Sequence, residues 1–99
     1  MISKLELKLW ALKHGFQPKG PFFYRLRDKD NTMFRLKPLN GTVLYEKETS
    51  QCLTDQNGAF IWSKQWVRLG FAYYKDIEIT DNDILIGFKR THNTKTLEV

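Results

Sequence analysis

The sequence predicts an α+β fold, with an N-terminal amphipathic helix packed on a small antiparallel β-sheet of about five strands arranged as a meander and hairpins. Three features predict it: a capping box at Ser3–Glu6, two alternating aromatic and basic segments at 22–27 and 33–37, and the turn dipeptide Asn40-Gly41. A second short helix is expected near 59–69.

In Ser3-Lys4-Leu5-Glu6 the hydroxyl and the carboxylate can satisfy each other's orphan amides at a helix start, and Ile2 and Leu7 stand at the staple positions. Leu5, Leu9, Leu12 and Phe16 follow at helical spacing, and Gly15 can close the helix in the left-handed conformation, which gives a helix over about 3–15. The alternation of Leu5, Leu7 and Leu9 with charged residues would also suit a strand. If the leucine stripe faces the core, Leu7, Trp10 and His14 form an opposite face, available as a protein-contact surface.

Phe22–Arg27 and Met33–Lys37 read as paired strands. For Tyr24 and Leu26 to share a face with Phe34 and Leu36, paired positions must sum to an even number, with a loop of three or five residues in which Asn31 is left-handed. Arg25 then lies opposite Arg35, and Phe23, Arg25, Arg27, Met33, Arg35 and Lys37 form a single outer face. Asn40-Gly41 suits a two-residue type I′ hairpin that pairs Leu36 with Tyr45 and Arg35 with Glu46. Residues 49–58 read as the main polar loop. The helix expected at 59–69 rests on the spacing of Trp62, Trp66 and Leu69, against the strand-like content of Phe60, Ile61 and Val67. Ile77 and Ile79 would face Ile86 and Ile84 around Asp81-Asn82, ahead of a polar tail from about residue 91.

Ninety-nine residues with 41% apolar content suffice for one core, so a single domain spanning 1–99 is expected. The net charge of +5 is uneven. Residues 1–37 carry nine Lys/Arg against three acids, a net +6, whereas 38–99 carry seven against eight. Such asymmetry steers a protein toward a polyanion or an acidic surface. A lone cysteine, Cys52, excludes an internal disulfide and suits a reducing, cytoplasmic compartment. No apolar run approaches a membrane span, and no membrane partner is expected.

Catalytic chemistry finds little support. Cys52 has no sequence neighbour to activate it, and Asp76, Glu78, Asp81 and Asp83 lack the spacing of a calcium loop. The six glycines make no phosphate cradle. No enzyme, metal or cofactor is therefore expected. Leu12-Lys13-His14-Gly15-Phe16 resembles the first helix and turn of small bacterial RNA-binding toxins of α-β-β-β-α fold. The catalytic histidine of that family is absent from the next turn, Gly20-Pro21-Phe22-Phe23, so its activity does not carry over.

The expected function is non-enzymatic binding of nucleic acid or nucleoprotein, with Arg25, Arg27, Arg35 and Lys37 on phosphates and Phe23 stacking or packing on sugar. Arg35 could instead belong to an ordinary charge ladder with Glu46. The alternative function is a stand-alone inhibitor or adaptor, of the kind phages and mobile elements encode, that blocks a host protein's nucleic-acid-binding or acidic surface.

Overall fold

The computed structural model describes residues 1–27, 32–91 and 95–99, with only the backbone of Arg27. Strands hold 56% of the described residues, and the architecture is a curled antiparallel half-barrel rather than a helix laid on five strands. The chain runs α1 (Lys4–Lys13), β1 (Gln17–Lys19), β2 (Phe22–Arg27), β3 (Thr32–Pro38), β4 (Thr42–Thr54), β5 (Phe60–Tyr73), a 3-10 turn (Tyr74–Asp76), β6 (Glu78–Ile79), β7 (Leu85–Ile86), β8 (Phe88–Arg90) and β9 (Thr96–Leu97). Seven strands form one sheet in the order β1-β2-β3-β4-β5-β8-β9, and β6 and β7 form a separate pair.

The capping box forms as its residues dictate: Glu6 N donates to Ser3 Oγ at 3.1 Å and Ser3 N to Glu6 Oε1 at 3.2 Å. The helix it starts is rotated from the expected orientation. Leu7, Trp10 and Ala11 are buried, whereas Leu5, Leu9 and Leu12 are 63%, 58% and 41% exposed. Both faces are apolar, so periodicity alone does not choose between them. The indole does, because it buries more area than a leucine and finds an acceptor for its N–H in the Asp83 carbonyl at 3.0 Å.

Beyond the helix, the segment at 59–69 is strand. Trp62 and Trp66 are four residues apart, a spacing that keeps two side chains on one face of a helix and of a strand alike. Residues 49–54 likewise belong to β4, so the loop between the long strands shrinks to 55–59. Asp55 shapes it, its Oδ1 accepting from the amides of Asn57 and Ala59. Leu39–Thr42 is a tight hairpin that pairs Leu36 with Tyr45 and Arg35 with Glu46, as the sequence predicts. Only Gly41 has positive φ there, so the turn is not type I′. The last hairpin slips by one residue, pairing Glu78 with Ile86 and Ile79 with Leu85. Asp83, at φ 63°, is the extra left-handed residue that shifts it. Residues 96–97 fold back on β8 instead of continuing a polar tail.

The decisive difference lies between β2 and β3. Tyr24 pairs with Arg35, Arg25 with Phe34 and Arg27 with Thr32. This one-residue slip from the expected register moves every β2 side chain to the other face. Phe23 and Arg25 stand on the side of the sheet that carries Phe34 and Leu36, while Phe22, Tyr24 and Leu26 share the opposite, open face with Arg35 and Lys37. The expected left-handed Asn31 lies outside the described residues.

The core gathers Leu36, Val43, Tyr45 and Ala72 from the sheet with Leu7, Trp10 and Phe16 from the N-terminal segment and Ile77, Leu85 and Phe88 from the C-terminal part. Past it, β4 and β5 continue as a two-stranded arm, paired from Glu48–Trp66 out to Thr54–Phe60. The molecule measures 53 × 28 × 27 Å with a radius of gyration of 15.5 Å, against about 13 Å for a compact chain of this size. The excess is the arm, at whose tip Phe60 and Trp62 are 77% and 72% exposed.

Near the core's edge the Tyr74 hydroxyl is shut off from solvent with no hydrogen-bond partner among the described residues. Burial pushes its pKa above the ordinary phenol value. The proton therefore leaves the unfolded chain first, and the stabilisation, full below about pH 10, is lost as pH rises through the folded value. Tyr74→Phe should leave stability at pH 7 level or raise it by up to about 1 kcal/mol, and should soften the alkaline loss. Denaturant melts at pH 7 and 10.5 check this; a marked loss at pH 7 would reveal a partner for the hydroxyl.

Candidate nucleic-acid interface

The helix side of the sheet is built in rows. One row sets Arg25, Phe34, Lys47 and Val67 side by side across β2 to β5. The next sets Phe23, Leu36, Tyr45, Gly70 and Arg90. Three cations, Arg25, Lys47 and Arg90, thus line a cavity of about 400 Å³ beside Phe34 and Tyr45, whose rings stack at 5.6 Å. Arg25 and Lys47 flank Phe34, about 10 Å apart by strand spacing, and the Arg25 guanidinium lies 4.4 Å over the Phe16 ring. Among the described residues none of the three makes an ion pair. Among the described residues lining the cavity, Glu98 is the one carboxylate side chain.

Gly70 makes the second row possible, because a Cβ there would stand 2.6 Å from the Lys89 carbonyl oxygen and 2.8 Å from Leu97. A side chain at this position would push β8, and Arg90 with it, off the sheet. Beyond the cations the same side of the arm offers Thr49 with Gln65 and Gln51 with Ser63, then Leu53 with Ile61 at the tip. It passes from charged to hydrogen-bonding to apolar along its length.

On the open face Arg35 binds Glu46, Nε to Oε1 at 2.7 Å, with side chains only 13% and 9% exposed. Its guanidinium lies 4.1 Å from the Trp66 ring and 4.9 Å from that of Phe22. Trp66 meets Tyr24 at 5.6 Å, and Lys37 Nζ lies 5.4 Å from Phe22. Arg35 is therefore the centre of an aromatic layer, with its charge already matched. A cavity of about 470 Å³ beside this layer is lined by one cation, Lys19, and one carboxylate, Glu48. It is larger than the cationic cavity but carries no net attraction for an anion.

The expected ribbon is thus divided. Phe23 and Arg25 stand on the helix side, Arg35 and Lys37 on the open face. The register sets Arg27 opposite Thr32, and its side chain lies outside the described residues. Sequence reasoning missed Lys47 and Arg90, though Lys47 follows from extending the predicted Leu36–Tyr45 pairing by two residues. Leu7 and Trp10 are core residues and not a contact surface. His14 stacks on Trp10 at 4.3 Å, and its Nε2 lies 2.8 Å from Asp83 Oδ2. Lys13 Nζ reaches the same oxygen at 2.8 Å. This cluster ties the helix end to the β6–β7 turn.

Searches against protein-family models, curated proteins and solved structures find no match to this chain. No helix among the described residues is long and apolar enough to cross a membrane. They contain no group of three or more His, Cys, Asp or Glu placed to hold a metal ion. Cys52 is exposed on the arm.

Hydrogen bonds from Lys13, then His14, hold the Asp83 carboxyl below its ordinary pKa. Its stabilising effect is therefore present above about pH 4 and is lost as pH falls through the lowered value. Asp83→Asn keeps a residue type that tolerates the left-handed backbone and removes the charge. The variant should melt below the parent at pH 7, and the gap should close as pH drops below 4. An equal gap at pH 7 and pH 2.5 would contradict the ion-pair account.

Proposed function

We propose that this chain is a non-enzymatic nucleic-acid-binding module, with phosphates contacted by Arg25, Lys47 and Arg90 on the helix side of the sheet. The observation that carries this reading is the gathering of three cations, unmatched among the described residues, at the base of a protruding arm. Like charges held on one face repel, and a phosphate between them converts that repulsion into attraction while releasing condensed counterions. The neighbouring Thr49, Gln51, Ser63 and Gln65 are donors and acceptors of the kind that reach sugars and base edges. A two-stranded ribbon also has the width that a major groove admits. Arg35 is left out of the phosphate contacts, because Glu46 and two aromatic rings already occupy its guanidinium.

The inhibitor or adaptor reading draws on a different surface, the exposed leucines 5, 9 and 12 of α1. An apolar anchor there would give binding that depends little on salt and fails in Leu9→Glu.

Binding of a fluorescent duplex and of a single strand, each titrated at several salt concentrations, tests the proposal. With three phosphate contacts on duplex DNA, log K should fall with log salt at a slope of about −2.7. Arg25→Ala, Lys47→Ala and Arg90→Ala should each reduce that slope by about 0.9. Glu98→Gln, which removes the carboxylate at the cavity, should tighten binding. Unchanged affinity in all three cation variants would overturn the assignment of the site.

A further inference from the structure

Along the arm, the outer edge of β5 has no neighbouring strand among the described residues. Asp55 N donates to the Ala59 carbonyl at 2.9 Å, which makes these two a hydrogen-bonded pair next to the turn. Such pairs recur at every second residue of an antiparallel ladder. Ile61, Ser63 and Gln65 therefore aim their backbone groups at β4, while Phe60, Trp62, Lys64 and Trp66 aim theirs outward. The only pairs joining β5 to β8 are at Gly70 and Phe71, so among the described residues no strand covers the edge over 60–66. Natural edges are guarded by proline, bulges or several charges. This one carries Lys64 alone and is rich in residues that favour strands.

We infer that this edge pairs with the same edge of a second copy, extending the arm into a four-stranded antiparallel sheet across a two-fold axis. The inference does not rest on nucleic-acid binding. A two-fold axis perpendicular to the arm keeps each face on its own side, so even-numbered residues must meet even-numbered ones. A register centred on Ser63 engages all four outward-facing residues. It sets Phe60 against the partner's Trp66 and Trp62 against the partner's Lys64, an aromatic pair and a cation on an indole face. Centring on Lys64 would oppose two like charges, and centring on Trp62 would leave Trp66 without an outward-facing partner.

The edge thus complements itself in backbone groups and in its aromatic and cation–aromatic side-chain pairs. The apolar area fits a weak dimer. At 77% and 72% exposure, Phe60 and Trp62 of both copies hold roughly 600 Å², against the ~1,200 Å² at which stable interfaces begin. Backbone hydrogen bonds supply the remainder, and the dimer depends on concentration.

In that register Ser63 faces the partner's Ser63 as a non-hydrogen-bonded pair, with Cα atoms about 4.5 Å apart, within disulfide reach. The full chain carrying Ser63→Cys in a Cys52→Ser background should oxidise to a covalent dimer, while Thr54→Cys in the same background, on the far strand, should not. Lys64→Pro removes an outward N–H without touching the β4 ladder. It should weaken the dimer seen by sedimentation equilibrium without nucleic acid by about tenfold or more, with the circular-dichroism spectrum unchanged. A Ser63→Cys chain that stays monomeric on oxidation, cross-linking at Thr54→Cys to the same extent, or a Lys64→Pro variant that dimerises like the parent would each overturn the inference.

Discussion

Which side of the sheet each β2 residue occupies is decided by the β2–β3 register, and most of the molecule's surface chemistry follows from it. With Arg25 opposite Phe34, the Arg25 guanidinium stacks on Phe16 and joins Lys47 and Arg90. With Tyr24 opposite Arg35, Tyr24 and Phe22 close with Trp66 around the Arg35–Glu46 pair. A slip of one residue would exchange these surroundings and place Arg25 against Arg35, where like charges are destabilising.

The register holds because both faces of the sheet reward it. Phe22 and Phe23 are adjacent aromatics, so either phase of β2 buries one ring and offers the other to the far side. What separates the phases is the use made of arginine. Arg35 is nearly removed from water, and its desolvation is offset by a close carboxylate and two π-faces. Arg25 is half-buried at the cavity, with its planar head over Phe16. One strand pair therefore holds one arginine whose charge is matched and one whose charge is unmatched among the described residues.

The local chemistry of the sequence was legible where a residue type forces a backbone state. The capping box at Ser3 and Glu6 and the Leu36–Tyr45 pairing form as read, and the chain does turn at Asn40-Gly41, although not in the type I′ conformation. Legibility failed where two apolar faces compete. α1 carries leucines on one side and Leu7, Trp10 and Ala11 on the other, and only the distant Asp83 carbonyl selects the second. Trp62 and Trp66 fit helix and strand equally, and their placement depends on their β4 partners Cys52 and Glu48, ten and eighteen positions earlier in the chain. The cationic site draws Arg25, Lys47 and Arg90 from three separate strands, so no contiguous motif announces it.

The arm extends this logic beyond the core. Beyond Trp66 its strands pair, among the described residues, only with each other, and two-stranded ribbons are marginal in water. Their apolar tip and open edge are the features least explained by the monomer's own packing. The base of the arm, by contrast, is fixed by the rows that begin at β2, which makes the β2–β3 register the point on which the site stands. Cross-strand backbone NOEs in the isotope-labelled full chain measure it directly. Contacts linking Arg25 with Phe34 and Tyr24 with Arg35 are predicted, and contacts linking Arg25 with Arg35 would contradict the account.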